Sequence, residues 1–408
     1  MAVFQHVRNS GAVLQRIGAP RPYARSRPIS ITDVELAPPG RDEVLVRIEA
    51  AGICHSDLSV VDGNRVRPVP MLLGHESAGI VERVDPGVAD LAVGARVVLV
   101  FLPRCGRCAT EGLTPCEPGS AANGAGTPLG GDIRLSRAGR PVYHHLGVSG
   151  FATHAVVNRA SAVEVPPNVP AEVAALLGCA VLTGGGAVLN VGRPGPGQTV
   201  AVVGLGGVGM AALLTALTYD GVPVVAVDQL PEKLAAARRL GAHQAYTPQQ
   251  AIDARVKAAV VIEAVGHPAA LQTAIDLTAP GGRTITVGLP PPDARITVSP
   301  LGFVAEGRSL IGSYLGSAVP SRDIPPVRRA VARGPAAGGI AGVVHDPAGR
   351  HQRGDGSSGR RHRGATPPTA LRPAWRTIAA SPASRQQRVE AVAGAGEHVQ
   401  LGADPGVQ

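Results

Sequence analysis

The chain reads as an α/β protein in two parts, a β-rich first half followed by a doubly wound parallel sheet, with an aberrant C-terminal tail. Three observations carry that reading. Short β-type runs broken by turns fill residues 28–160, strand and helix patterns alternate from about residue 185, and both patterns stop after about residue 325.

At 408 residues the chain is long enough for two ordinary cores. In the first part, expected to span residues 1–185, ISITDVEL, EVLVRIEA, SAGIVERV and ARVVLVF are strand-like. Pro-Gly, Asp-Gly and Val-Gly turns separate them, as in a compact and mostly antiparallel β domain. In the second part, expected over residues 186–322, TVAVVG is a buried-strand pattern followed by the helical GVGMAALLTALTYDG. PVVAVD and PEKLAAARRLGA repeat the pair, and AAVVIEAVG, RTITVGLP and RSLIGSYLG continue it. Such alternation implies a parallel sheet covered on both faces. Residues 323–408 fit neither part. From residue 326 onward they lack Phe, Tyr, Met and Cys and hold 12 Arg but no Lys. A disordered basic tail gives this composition. So does a shifted reading frame in GC-rich coding, a reading favoured by the excess of Arg over Lys, 37 to 2 in the whole chain.

Charge and cysteines bound the function. Residues 326–408 contribute +7 of the net +9, so the basic character belongs to the tail and the body carries only +2. No apolar run reaches the roughly 18 residues of a membrane-spanning helix. The N-terminal MAVFQHVRNS lacks the pattern of a secretory signal. A cytoplasmic protein with no membrane or nucleic-acid partner is expected. The five cysteines, an odd number in a chain without an export signal, point to metal ligation instead of a disulfide framework.

GLGGVG follows the strand TVAVVG and opens a helix, and Asp228 ends the next strand 19 residues past Gly209. In that setting the glycines form a dinucleotide fingerprint. Gly204 permits the tight turn, Gly206 lets backbone approach a pyrophosphate, and Gly209 allows close helix–strand packing. Gly207 and Val208 complete the turn, and the helix N-terminus favours the pyrophosphate charge. Asp228 accepts from the ribose hydroxyls and repels a 2′-phosphate, which favours NAD over NADP, and Lys233 is within reach of the same ribose.

The stretch GICHSD sets Cys54, His55, Ser56 and Asp57 in a row. Cys54 is followed 21 residues later by His75 and then by Cys179. Cys, His and Cys are ligands of a catalytic zinc that keeps its fourth position open. Such a zinc polarises an alcohol oxygen and prepares it for loss of hydride.

GICHSD, LGHE, Cys179 in LLGCAVLTGGG, and GLGGVG, in that order, resemble the zinc-dependent medium-chain alcohol dehydrogenases over about residues 12–325. The long segment from CEPGSAANGAGT to PVYHHLGVSGFATHAVV is similar to the branch of alcohol and thiol-dependent formaldehyde dehydrogenases. The resemblance implies a GroES-like catalytic domain, a Rossmann NAD domain and a homodimer or homotetramer. It assigns Cys54, His75 and Cys179 to the catalytic zinc, Ser56 to proton transfer, Asp57 to orienting His75, and Glu76 to a transient ligand. His55 would lie at the pyrophosphate and Thr183 at the nicotinamide. Ser59 stands where a relay histidine is common, which leaves the outer end of the relay to water or another route.

A second, structural zinc is implied at Cys105, Cys108 and Cys116, but either Leu102 stands where the family's first cysteine belongs or a three-residue deletion removed the third cysteine. Glu111, Glu117 or water would complete that shell, or the site is empty. The family chain returns to the catalytic domain after its last NAD-domain strand, where this chain has its atypical tail. His144 and His145 read as loop or core residues. The expected reaction is NAD-dependent oxidation of a primary or secondary alcohol to aldehyde or ketone. A dehydrogenase of a formaldehyde–thiol adduct and a descendant that only binds NAD share the same motifs. A nucleic-acid-binding role for the tail is the remaining class.

Overall fold

The computed structural model of the protein describes residues 7–106, 108 and 114–333; Glu111, Trp375 and the tail from residue 334 onward lie outside the described residues. The chain opens with β1 (Val7–Leu14), the short helix α1 (Tyr23–Ser26), β2 (Ile29–Leu36) and β3 (Glu43–Gly52). Next come α2 (His55–Val61), β4 (Met71–Leu72), β5 (Glu76–Val84) and β6 (Arg96–Leu99). The β-rich part closes with α3 (Glu117–Ala125), β7 (Leu135–Arg137), β8 (Arg140–His144), β9 (His154–Asn158) and β10 (Ala162–Glu164).

Strands β1, β2, β7, β8 and β4 close a barrel, and a second sheet runs in the order β10-β6-β5-β3-β9, antiparallel throughout. β3 lies second from the edge of that sheet and is buried along most of its length, with only Arg47 and Glu49 of its middle half-buried. Its pairing with β5 sets Gly52 opposite Glu76. That register puts Cys54, two residues beyond β3, beside His75, one residue before β5.

α4 (Ala171–Leu177) and α5 (Ala180–Gly186) meet at an angle of 51°, and Cys179 sits at the bend. The helical path continues from α5 through a wider turn to Gly192, so it crosses residue 185 without a linker. Among the described residues no single helix is long and apolar enough to cross a membrane.

The second part contains β11 (Val200–Val203), α6 (Gly207–Ala216), β12 (Val224–Val227), α7 (Pro231–Arg239), β13 (Gln244–Tyr246) and α8 (Pro248–Asp253). It continues with β14 (Ala258–Glu263), α9 (Pro268–Leu277), β15 (Thr278–Thr286), α10 (Pro300–Glu306), β16 (Ser309–Gly312) and α11 (Pro320–Arg333). The parallel order β13-β12-β11-β14-β15-β16 reverses direction between β11 and β14, and the crevice above their carboxyl ends is the switch point where such sheets bind ligands. Glu263 shapes that crevice from beneath. Its buried carboxylate accepts from the Val265 and Gly266 amides, both at 2.7 Å, and from the Thr286 hydroxyl at 2.6 Å.

Ordered structure runs further than the sequence pattern suggests. Pro325 and Pro326 read as a break because proline lacks the amide a helix needs, yet α11 passes through both to Arg333. Tertiary packing outweighs the lost bonds. Ile324, Val327 and Val331 form one buried stripe, with Val327 against Gly185 of α5. The buried Asp323 accepts from the Val319 amide at 2.9 Å and from Asn190 at 3.1 Å.

Candidate active site

The site begins where β3 runs out. Cys54 caps α2, and its amide donates to Asp57 Oδ2 at 2.9 Å. The other oxygen of Asp57 lies 3.2 Å from His75 Nδ1 and 3.0 Å from His145 Nδ1, the latter close but off the hydrogen-bond line. With Nδ1 facing Asp57, His75 presents Nε2 to the neighbouring thiols. Gly74 delivers the imidazole from a left-handed turn at φ 93°, where a Cβ would also collide with Phe151. Ligand atoms of Cys54, His75, Glu76 and Cys179 all lie within 4.8 Å of one another.

Burial sets the charges in this cluster. It pushes Asp57 up, but His75 and His145 outweigh it and hold the carboxyl well below its usual range. It pushes His75 down, but Asp57 and Cys54 raise that imidazole well above its ordinary value. A hydrogen bond from Cys179 depresses the Cys54 thiol. Burial raises Glu76 to about 8, and the adjacent Cys54 adds to the rise. Two thiols, an imidazole held from behind and a reluctant carboxyl are a zinc donor set whose protons a cation displaces. The residues fit that ion.

Around the cluster, Ser56 is half-buried and His55 is exposed at the start of α2. Thr183 is buried one turn past Cys179, its amide donating to the Cys179 carbonyl at 2.8 Å. Ser59 Oγ donates to the His55 carbonyl at 3.0 Å.

The glycine turn has the geometry its spacing predicts. Gly204 turns at φ 90°, and a Cβ on Gly209 would strike the Gly204 carbonyl. A Cβ on Gly206 would meet only open space, so backbone there is accessible to a ligand. Gly207 opens α6, and Val208 follows against Gly184 of α5. Asp228 is held by the Leu205 amide at 2.7 Å and the Leu230 amide at 3.0 Å, and Lys233 Nζ is 3.8 Å away. An amide cradle at a helix N-terminus with a fixed carboxylate beside it fits a dinucleotide.

The remaining thiols gather apart from this crevice. Cys105 Sγ is 3.3 Å from Cys108 Sγ, which is 3.7 Å from Cys116 Sγ. Leu102 is buried in the core, and Glu117 points to solvent at the start of α3. Among the described residues the cluster offers three ligands, one short of a closed structural zinc site.

Sequence reasoning missed three residues. His145 is no ordinary core histidine, since it shares the Asp57 carboxylate, while its neighbour His144 is a core residue lowered to about 3 by burial. Phe101 stands edge-on to His75 at 5.5 Å, and Tyr314 stands edge-on to Phe101 at 5.7 Å. Aromatic residues make up only 2% of the chain, so two rings at the metal cluster are a signal that scarcity alone could have raised.

A GroES-like β part, a doubly wound sheet, and a thiol–imidazole cluster over the crevice define a zinc-binding dehydrogenase. Residues 40–167 match the alcohol dehydrogenase GroES-like domain, and residues 207–333 match the zinc-binding dehydrogenase domain. The chain is similar to geraniol dehydrogenase from Castellaniella defragrans, 38% identical over 333 residues that cover 77% of this chain and 85% of that one. It resembles the crystal structure of an alcohol dehydrogenase zinc-binding domain protein from Burkholderia ambifaria (TM-score 0.72, 34% identity, 79% of this chain and 89% of that one). It also resembles benzyl alcohol dehydrogenase from Acinetobacter calcoaceticus (TM-score 0.72, 29% identity, 79% and 88%). The chain belongs to the zinc-dependent medium-chain alcohol dehydrogenases, and it is an oxidoreductase of alcohols.

Proposed function

We propose that the protein oxidises a primary alcohol to its aldehyde with NAD, using Cys54, His75 and Cys179 to hold a catalytic zinc. The observation that carries this reading is the convergence of those three side chains and Glu76 within 4.8 Å. When bound, zinc supplies Lewis-acid polarisation of the alcohol oxygen, and the nicotinamide supplies the hydride acceptor. Asp57 fixes the His75 tautomer through Nδ1. Ser56 accepts the alcohol proton and passes it outward by water, since Ser59 offers no imidazole. Glu76, whose carboxyl burial raises in the metal-free cluster, is a transient ligand beside the three. Thr183 bounds the nicotinamide, and His55 meets the pyrophosphate held by Gly204, Gly206, Gly207, Val208 and Gly209. Asp228, already turned by two amides, selects NAD by repelling a 2′-phosphate, with Lys233 beside it.

Phe101 and Tyr314 favour alcohols with a double bond or ring next to the carbinol carbon, in line with the geraniol and benzyl alcohol dehydrogenases among the relatives. Cys105, Cys108 and Cys116 form the partial shell of a second metal. Cysteines grouped as metal ligands instead of disulfides suit a reducing compartment such as the cytoplasm. A second copy of the chain is the expected partner. β16 lies at the edge of its sheet with Leu310 exposed, and Leu301 and Val304 of the preceding helix are 73% and 81% exposed.

The test supplies zinc-loaded protein with NAD and a panel of saturated, allylic and benzylic alcohols, following NADH absorbance with a chelator control. Chelator-sensitive turnover that is fastest for the unsaturated alcohols is expected. Turnover that persists after zinc removal, or none on any alcohol, would overturn the reading.

A further inference from the structure

Arg65 and Arg67 lie on the loop that follows α2, 11 and 13 residues beyond Cys54 and close to the aromatic side of the crevice. The Arg65 amide donates to the Ser59 carbonyl at 2.7 Å, which ties the loop to α2. The Arg65 guanidinium reaches across to the other part of the molecule and donates to the Pro290 carbonyl at 3.1 Å. Arg67 is half-buried. Its Nη1 donates to the Val66 carbonyl at 3.1 Å, and its Nε is buried with no hydrogen-bond partner.

Among the described residues neither guanidinium has a carboxylate partner, whereas Arg47, Arg96, Arg134, Arg159, Arg308 and Arg322 do. Both charges are felt at the pocket. Burial raises the Tyr314 phenol, and the two guanidinium charges pull against that rise. The charge of Arg67 also reaches the buried His145. Two cations satisfied only by backbone carbonyls, beside a low-dielectric crevice, concentrate an anion there. The planar guanidinium fork matches a carboxylate.

We propose that Arg65 and Arg67 form the far rim of the alcohol pocket and receive an anionic group that the substrate carries away from its hydroxyl. The preferred substrate is then an unsaturated or aromatic alcohol with a charged terminus. The proposal rests on the reading of the crevice as an alcohol pocket and adds the chemistry of its other end.

The test compares para-(hydroxymethyl)benzoate with para-methylbenzyl alcohol, which share the ring and the hydroxymethyl group and differ at the far substituent. Calorimetry on the full-length, zinc-loaded protein saturated with NADH reads binding without turnover. The benzoate is expected to bind roughly tenfold or more tightly, the worth of one or two charge-assisted hydrogen bonds. That preference should fall severalfold in Arg67→Met and in Arg65→Met, survive in part in Arg67→Lys, and shrink as salt is raised in the unmodified protein.

Equal affinities in the unmodified protein, no binding of the benzoate, or a preference untouched in both Met variants would overturn the proposal. A separate turnover assay keeps the two readings apart. A carboxylate preference without NADH formation sinks the oxidation reading alone. Oxidation of the neutral alcohol without any carboxylate preference sinks this proposal alone.

Discussion

One carboxylate at Asp57 serves three groups, the Cys54 amide, His75 and His145. Asp57→Asn keeps the shape but offers Nδ1 a donor or a neutral oxygen, so zinc affinity should fall about 10- to 100-fold in a competition titration with a chromophoric chelator. An unchanged affinity would mean the carboxylate is dispensable. Glu76 gives a pH signature. Its native pKa of about 8 stands above the 4.5 of the free carboxyl. The metal-free fold therefore gains from the protonated form below about pH 4.5 and loses that gain as pH rises through 8. Glu76→Gln should flatten that slope in thermal melts of metal-free protein, and parallel pH profiles for the two proteins would refute the assignment. The convergence of Cys54, His75 and Cys179 was legible because a thiol–imidazole–thiol set has few uses besides metal. His145 was not legible, because an adjacent His-His pair carries no spacing information and its meaning appears only when Asp57 arrives from another element.

At the scale of elements, register does the work of assembly. Setting Gly52 opposite Glu76 places Cys54, just beyond β3, beside His75, just before β5, and a Cβ at Gly52 would press on the Glu76 carboxylate. The β-type runs of the first part and the strand–helix alternation of the second were readable from period and turn residues. The barrel closure by the two-residue β4 was not, since so short a strand has no period of its own. α11 shows why local signals misled. The proline pair marks a break, but the stripe of Ile324, Val327 and Val331 and the buried Asp323 bind the helix to α5 and the turn after β16. Asp323→Ala leaves the Val319 amide without its acceptor and Asn190 with only the Gly316 carbonyl, and should cost about 1–3 kcal/mol in denaturant unfolding. A loss under about 0.5 kcal/mol would show the clamp to be idle.

For the whole molecule, the family match and the described helix both end at Arg333. Deleting residues 334–408 should leave NADH affinity and melting temperature unchanged, and a clear drop in either would assign that segment a part in the fold. Leu301→Glu combined with Val304→Glu should halve the sedimenting mass if the exposed face of α10 meets a second copy. An unaltered mass would send the search for the interface elsewhere. Cys179 has a mechanical consequence as well. It sits at the bend between α4, which leans on the β-rich part, and α5, whose Gly184 and Gly185 press so tightly on α6 and α11 that no side chain fits between. Cys54 and His75 belong to the β-rich body, so under the proposed ligand set an ion held by all three would span the seam like a rivet. Prising the crevice open would strain the coordination shell itself, and stripping the metal would free two bodies to breathe against each other.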